Sequence, residues 1–446
     1  MSLHERVLGF IGAGSAFSAA RSMKTIVSPR ATPKTEQDGP SCRFCLSPLR
    51  HTFADLGMSP LSNAYLKREQ LNCFERFYPL HAYVCGTCFL VQVEAFEPPD
   101  RIFNDYAYFS SYSDSWLAHA RHYVDAVTER FALTANSSVI EVACNDGYLA
   151  QYFVARGIPV LGIEPAANVA ASAAAKNIPV VVSFFGRDMA QALAAKGTRA
   201  DLMVANNVVA HVPDLNDFVA GFKILLQPAG VVTFEFHHVL QLIQQNQFDT
   251  IYHEHFCYHS FTTFQRILEY NGLVAFDVEE LPTHGGSLRV YAHHQNDTVH
   301  AASPRVCDLL ARETAFGLTR LETYLELGEK VKRMKFKLLS FLLEAKAQGK
   351  VIVGYGAPAK GNTLLNYAGV RSDLLDYTVD RNPHKQGLFL PGTHIAILSP
   401  DAIRETKPDY VLILAWNLKC EIMEQMAHIR DWGGQFLVLI PDVQVF

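Results

Sequence analysis

Twice along this chain, short runs of β-branched and apolar residues alternate with segments of helical periodicity, and that alternation leaves few folds open. The first series begins at Val139-Ile140-Glu141-Val142-Ala143. It continues through Ile158-Pro159-Val160-Leu161-Gly162-Ile163, Val180-Val181-Val182, Asp201-Leu202-Met203-Val204-Ala205 and Gly230-Val231-Val232-Thr233-Phe234. The second begins at Val351-Ile352-Val353-Gly354-Tyr355 and continues at Tyr377-Thr378-Val379, Tyr410-Val411-Leu412-Ile413-Leu414 and Phe436-Leu437-Val438-Leu439. Strands separated by helices form parallel, doubly wound sheets, because each parallel connection must cross a face of the sheet and its helix covers that face. The chain therefore reads as α/β with two such sheets, and 446 residues are too many for one core. Between the two series, residues 305–348 carry Leu321, Tyr324, Leu325, Val331, Met334, Leu338 and Leu342 among Lys and Glu, which predicts a helical bridge.

Hydrophobic residues make up 49% and charged residues 19%, with a net charge of −5. Such a chain buries large cores, and phosphate neutralisation on nucleic acid is not expected of it. No run approaches about 18 apolar residues, so no membrane span is expected. Nine cysteines form no disulfide framework: Cys73, Cys144, Cys257, Cys307 and Cys420 are scattered, which suits a reducing, cytoplasmic setting. The other four stand as Cys42-Arg43-Phe44-Cys45 and Cys85-Gly86-Thr87-Cys88, with 39 residues between the pairs. Each C-x-x-C turn presents two thiolates to one cation, and four thiolates leave no open coordination position. A structural Zn²⁺ is expected, supplying folding energy to a module too small to build much core. Residues 1–40 read as a loosely held extension. Gly12-Ala13-Gly14 is no phosphate loop, since Phe17 stands where a third glycine belongs. The expected division is an extension at 1–40, a zinc module at 41–100, the first sheet at 101–300, the bridge at 301–349 and the second sheet at 350–446.

The stretch Glu141-Val142-Ala143-Cys144-Asn145-Asp146-Gly147 resembles the first motif of class I S-adenosylmethionine-dependent methyltransferases, with Cys144 and Asn145 in place of the usual glycines. The resemblance puts Glu141, Asn145, Asp146 and Gly147 at the cofactor. Glu164 ends the second strand, where a carboxylate can accept two ribose hydroxyls. Phe184 and Phe185 either cover an adenine face or belong to the core. Asn206 and His211 follow the fourth strand, where such enzymes gather cofactor and substrate contacts. A nicotinamide site is the alternative for this sheet, disfavoured because G-x-G-x-x-G is absent at residues 143–148.

The densest chemistry is Tyr252-His253-Glu254-His255-Phe256-Cys257-Tyr258-His259. It is not H-E-x-x-H, because Cys257 occupies the second histidine position. His255 and His259 as metal ligands on one helical face, and a structural histidine cluster, are the alternatives to a catalytic strip. The strip is favoured, since histidine titrates near neutrality and an adjacent carboxylate can orient it. The turn Gly354-Tyr355-Gly356-Ala357-Pro358-Ala359-Lys360-Gly361 joins a strand to a helix and suits a pyrophosphate. Asp380 lies 26 residues after Gly354, which also fits a dinucleotide ribose and keeps an NAD(P)-dependent dehydrogenase as a rival. A non-catalytic, zinc-scaffolded sugar-nucleotide-binding protein is the other rival.

The order of these motifs, together with Asp55-Leu56-Gly57-Met58-Ser59-Pro60-Leu61-Ser62-Asn63, the segment 105–113 and His284-Gly285-Gly286-Ser287-Leu288-Arg289, resembles one family over residues 41–446. It is the sugar C-methyltransferases acting on nucleotide-linked 4-keto-deoxysugars at C3. The resemblance implies a zinc module, a methyltransferase sheet and a C-terminal Rossmann-like domain, with the sugar nucleotide, of dTDP type, between the latter two in a monomeric enzyme. It implies His255 as base, with Glu254, Tyr252, Tyr106 and His211 around the sugar. His284, Arg289, Tyr355, Lys360 and Asn362 fall on the substrate side. His237-His238 depart from the family, which has a proline and an aromatic there. A C–H beside a ketone is acidic enough to lose when the oxyanion is held, so the 4-keto group is the chemical handle. Zinc stays out of that mechanism.

Overall fold

The computed structural model describes residues 39–98 and 110–446. Tyr106 and the first 38 residues lie outside them.

The central sheet has seven strands in the order Leu273–Leu281, Ser287–His294, Leu226–His237, Ala200–Asn206, Val139–Val142, Val160–Ile163 and Val180–Val181. The last five are parallel, and the first two form an antiparallel edge. Val139–Val142 is buried throughout, as a strand covered on both faces must be. The chain runs from it outward to Val160–Ile163 and Val180–Val181 on one side, then returns to Ala200–Asn206 on the other, and that reversal makes the region beyond its carboxyl end the place where such sheets bind ligands. The second sheet repeats the scheme in the order Ile397–Leu398, Thr378–Val379, Ile352–Tyr355, Tyr410–Ile413, Gln435–Val438 and Gln444–Val445, with only the last strand antiparallel.

The zinc region is less independent than the sequence suggests. Its antiparallel sheet of His51–Ser59, Tyr78–Val84 and Val91–Val93 is completed by a fourth strand, Cys257–Tyr258, from far downstream. Val91 pairs with Tyr258 and Gln92 with Cys257. The histidine strip is thereby part of the zinc module's sheet.

The bridge is three helices, not one: Pro304–Phe316, Leu321–Leu325 and Leu327–Ala347. The first ends at Gly317, whose φ of 104° is left-handed, and a Cβ there would press within 2.5 Å of Thr323 Oγ1. The long helix buries Val331, Met334, Leu338 and Leu342 in a core shared with His51–Ser59 and helix Ala359–Ala368, so it ties the N-terminal and C-terminal regions together. No helix among the described residues is long and apolar enough to cross a membrane.

Glu313 on the first bridge helix is fully buried. Its carboxylate accepts the backbone N–H groups of Phe261 (2.6 Å) and Thr262 (2.8 Å), the Thr262 hydroxyl, and Nε2 of His238 at 2.7 Å. It thus caps helix Phe261–Tyr270 from another element, satisfying N–H groups the helix cannot pair itself. Burial works against the charged form, but the bonds from His238 and Thr262 outweigh it and hold the carboxyl below its ordinary range. Glu313→Ala leaves His238 and two N–H groups unpaired and is expected to cost roughly 3–5 kcal/mol, with Glu313→Gln milder. Urea unfolding reads the difference, and an alanine variant as stable as the parent would refute the role.

Candidate active site

The four paired cysteines converge. Their sulfurs all lie within 4.8 Å of one another, with Cys42–Cys88 and Cys45–Cys85 both at 3.5 Å. A tetrahedral zinc thiolate site has sulfurs about 3.8 Å apart, so the four fit one ion with no open position. Gln92 links this cluster to the histidine strip. Its Nε2 donates to Cys42 Sγ at 3.3 Å, its Oε1 accepts from Arg43 N, and its backbone pairs with Cys257. The Arg43 guanidinium lies 5.0 Å over Phe256, and the Thr263 hydroxyl donates to the Cys88 carbonyl. Among the described residues no second group of metal-type ligands exists. The reading of His255 and His259 as helical metal ligands fails, because Tyr252–Phe256 is not helix and the His259 ring packs on Phe236 and Phe264.

At the end of Val139–Val142 the turn takes left-handed conformations at Ala143 (φ 59°), Asn145 (φ 51°) and Gly147 (φ 76°). Cys144 does not, so the positions needing glycine-like freedom are 143, 145 and 147, and asparagine tolerates its place. Cys144 packs its sulfur where a Cβ on Gly162 would stand, at 2.5 Å. Glu164 clasps this turn, Oε2 accepting from Asn145 N at 3.0 Å and Oε1 from Ala166 N at 2.9 Å. Each of its oxygens retains acceptor capacity. Asn145 Oδ1 accepts from Ser110 N, and Asp146 Oδ2 from Ser111 N with Lys176 Nζ 3.8 Å away. Glu141 is buried beneath the turn, and burial raises its carboxyl well above the usual carboxylate range. Glu141 Oε2, Asp146 Oδ1, Asn206 Oδ1 and Asn207 Nδ2 are buried without partners. Orphaned donors and acceptors around one crevice fit a polar ligand such as S-adenosylmethionine. Phe184 is 46% exposed, whereas Phe185 packs on Phe218 and Phe222 and belongs to the core.

The strip itself resolves two tautomers. His255 Nδ1 donates to the Thr250 carbonyl at 3.0 Å, so its Nε2 carries the lone pair and accepts the Tyr252 hydroxyl at 2.7 Å. His211 Nδ1 donates to the Glu254 carbonyl at 2.7 Å, and the two imidazoles lie 4.7 Å apart. Burial lowers the pKa of both, His211 to about 4 and His255 well below its usual value, so both are neutral at neutral pH. In this tautomer His211 Nε2 is an acceptor, so beside a sugar it could take a hydrogen bond but not donate one to an oxyanion. The Glu254 carboxylate is bonded to Asn63 and not to the His255 ring: Oε2 accepts from Asn63 Nδ2 at 2.6 Å, and burial pushes its pKa up to about 7. Asn63 belongs to the Asp55–Asn63 stretch, whose loop reaches the second sheet, where Asn362 Nδ2 donates to the Ser62 carbonyl and the Tyr65 hydroxyl to the Ala357 carbonyl.

Across the cleft, Lys360 Nζ lies 3.4 Å from the His284 carbonyl, 3.5 Å from Asn417 Oδ1 and 4.7 Å from the Trp416 ring centroid. Burial lowers its pKa to about 8 and raises that of Asp249, which accepts from Trp416 Nε1, to about 6. Tyr355 ends its strand with a long contact to Gln425. Asp380 clasps the second turn as Glu164 clasps the first, accepting from Ala357 N at 2.7 Å and Asn382 N at 2.8 Å. Arg289 is committed elsewhere than the sequence suggests. It pairs with Glu235 at 2.8 Å and Glu279 at 3.3 Å, beside His119, and lies 4.5 Å over the Tyr123 ring. Sequence reasoning missed Trp116, which contacts the rings of His119, Tyr148 and His284, and it missed Asp249 and Trp416. Tryptophan's scarcity was the available signal, since two of only three flank the cleft.

This sheet and crevice define an S-adenosylmethionine-dependent methyltransferase. Family models for a zinc-binding domain, a methyltransferase domain and a C-methyltransferase C-terminal domain match residues 42–103, 116–277 and 282–441. The chain is 33% identical over 404 residues, 91% of its length and 96% of the relative's, to C-methyltransferase NovU of Streptomyces niveus. It belongs to the C-methyltransferase family. A ubiquinone biosynthesis O-methyltransferase of Methylobacterium sp. (strain 4-46) is 32% identical over 99 residues, 22% of this chain and 39% of that protein. Among solved structures, an S-adenosylmethionine-dependent methyltransferase from Clostridium acetobutylicum ATCC 824 is 9% identical (TM-score 0.32, covering 41% of this chain and 93% of that one). Magnesium protoporphyrin IX methyltransferase of Synechocystis PCC 6803 is 16% identical (TM-score 0.31, 43% and 90%).

Purified protein is expected to carry one zinc per chain, and Cys85→Ser to lose both the metal and thermal stability. Zinc far below one equivalent in folded, active enzyme would overturn the site. Glu164→Ala is expected to weaken S-adenosylmethionine binding by roughly 1.5–3 kcal/mol, the scale of a lost charged hydrogen bond. Calorimetry showing unchanged affinity would count against that contact.

Proposed function

We propose that this C-methyltransferase methylates C3 of a nucleotide-linked 4-keto-deoxysugar, of dTDP type, with His255 as the base and the sugar lying between the two parallel sheets. The observation that carries the reading is the His255 tautomer. The Thr250 carbonyl fixes the proton on Nδ1, so the basic Nε2 is aimed at the Tyr252 hydroxyl. A ketone oxygen arriving beside Tyr252 takes over that hydroxyl's hydrogen bond. The exchange frees Nε2 to receive the C3 proton while Tyr252 stabilises the enolate oxygen. By the family resemblance Tyr106 adds a second hydroxyl. S-adenosylmethionine supplies an electrophilic methyl group, and Glu141, Asn145, Asp146, Gly147, Glu164, Phe184 and Asn206 form the side of the crevice that would hold it.

The low basicity of His255 supports this role. An imidazolium in that dry surrounding, with Lys360 near, is unfavourable unless an anion forms beside it. Proton transfer and enolate formation therefore stabilise one another, and the protein has little tendency to store the proton without substrate. Lys360, with the turn after Ile352–Tyr355, faces the diphosphate. Tyr355, Asn362 and His284 shape that side of the cleft, and Arg289 contributes by holding Glu235 and the edge strands in place.

Glu254 is the rival base, because its pKa of about 7 suits proton transfer. Isotope exchange separates the two. In deuterated buffer without methyl donor, His255→Gln is expected to abolish washout of the C3 hydrogen, while Glu254→Gln retains part of it. The reverse pattern would exchange the roles, and washout unaffected by either substitution would refute both.

A further inference from the structure

His237 ends strand Leu226–His237 at the cleft, and nothing above gives it a task. Its Nε2 lies 2.5 Å from Oε1 of Gln247. The Gln247 amide cannot be turned round, because its Nε2 donates to the Gly285 carbonyl at 2.8 Å and a carbonyl only accepts. Gln247 therefore presents an oxygen, His237 carries its hydrogen on Nε2, and Nδ1 keeps the lone pair. No described residue donates to that nitrogen, and the side chain is partly exposed. Gln247 joins His237 to both neighbours: the Gly285 carbonyl it reaches adjoins His284, whose carbonyl lies 3.4 Å from Lys360 Nζ, and Gln247 leads into the turn Phe248–Thr250, whose Thr250 carbonyl holds His255 Nδ1. Burial first, and then Lys360, lower its pKa to about 3, so it is a neutral acceptor at any working pH.

A neutral lone pair repels phosphate oxygens and needs a donor on the ligand. Lys360 faces the diphosphate, which a nucleotide sugar carries on C1, and His255 acts at C3. The sugar carbon between those two is C2. We propose that Nδ1 of His237 accepts a hydrogen bond from the C2 hydroxyl of the sugar, so that the enzyme selects a substrate hydroxylated at C2 over its 2-deoxy counterpart. The inference rests on the sugar-nucleotide reading and deepens it: of the 4-keto sugars, it names the 6-deoxy and not the 2,6-dideoxy class.

The test compares one nucleotide-linked 4-keto-6-deoxysugar with its 2-deoxy analogue, using the parent, His237→Phe and His237→Asn. The parent is expected to favour the hydroxylated substrate about tenfold or more in kcat/KM, the factor of a lost hydrogen bond. His237→Phe, with a similar ring and no acceptor, is expected to erase the preference mainly through KM for the hydroxylated sugar. S-adenosylmethionine affinity should stay near the parent's, which shows an intact fold, and the ratio of kcat/KM between the two sugars reads the preference whatever the variant's overall turnover. His237→Asn, whose Oδ1 can stand in for Nδ1, is expected to keep the preference. A parent that prefers the 2-deoxy sugar, or a phenylalanine variant that keeps the parent's preference, overturns the inference. A phenylalanine variant that alters discrimination between nucleotides instead also overturns it, placing the donor on the nucleotide. A parent that methylates neither sugar refutes the sugar-nucleotide reading itself, and the inference falls with it.

Discussion

The short ladder between Val91–Val93 and Cys257–Tyr258 holds the histidine strip in place. Two residue pairs supply little stability by themselves. Their rigidity comes from what stands behind them: Gln92 is held to Cys42 through a side-chain hydrogen bond, and Cys42 belongs to the four-thiolate cluster. Four thiolates leave no open position on a zinc ion, so what the module supplies is mechanical: the backbone carrying Tyr252, Glu254 and His255 leads directly into the strand that it organises. A metal-braced sheet behind a loop is one way to give an irregular segment the precision that a site built on a regular element has.

The two parallel sheets solve one problem with the same device. Each makes a tight turn after its first strand and steadies that turn with a carboxylate at the end of the next strand: Glu164 for the first, Asp380 for the second. The carboxylate satisfies an N–H that would otherwise be unpaired. The loop from Asn63 to Tyr65 then spans from Glu254 to the second turn, so all three regions meet at the cleft.

Much of this was legible in the sequence because it rests on periodicity and spacing. The alternating strands, the C-x-x-C pairs and the two turns each depend on neighbours in the chain. What escaped depends on long-range pairing. Nothing near Cys257 announces that it will join the zinc module's sheet, and nothing near Glu313 shows that it will cap a helix beginning at Phe261. Arg289 fell on the substrate side through the family resemblance, and only the fold shows Glu235 opposite it across the strands. Local periodicity predicted one bridge helix, and the left-handed Gly317 divides it. The histidine tautomers were out of reach altogether, since they are set by the carbonyls of Thr250 and Glu254 facing particular ring nitrogens.

The same fourth strand has a consequence for how the chain is made. Tyr258 follows its partner Val91 by 167 residues, so the small sheet nearest the N-terminus cannot be completed until more than half the chain has left the ribosome. Domains usually fold in the order of synthesis, and closing a long loop slows the contacts that depend on it. Here the cysteine pairs can gather their ion early, but the edge at Val91–Val93 must wait uncovered while five of the seven strands of the central sheet are laid down. The histidine strip is thus seated late, when the surfaces it bridges already exist.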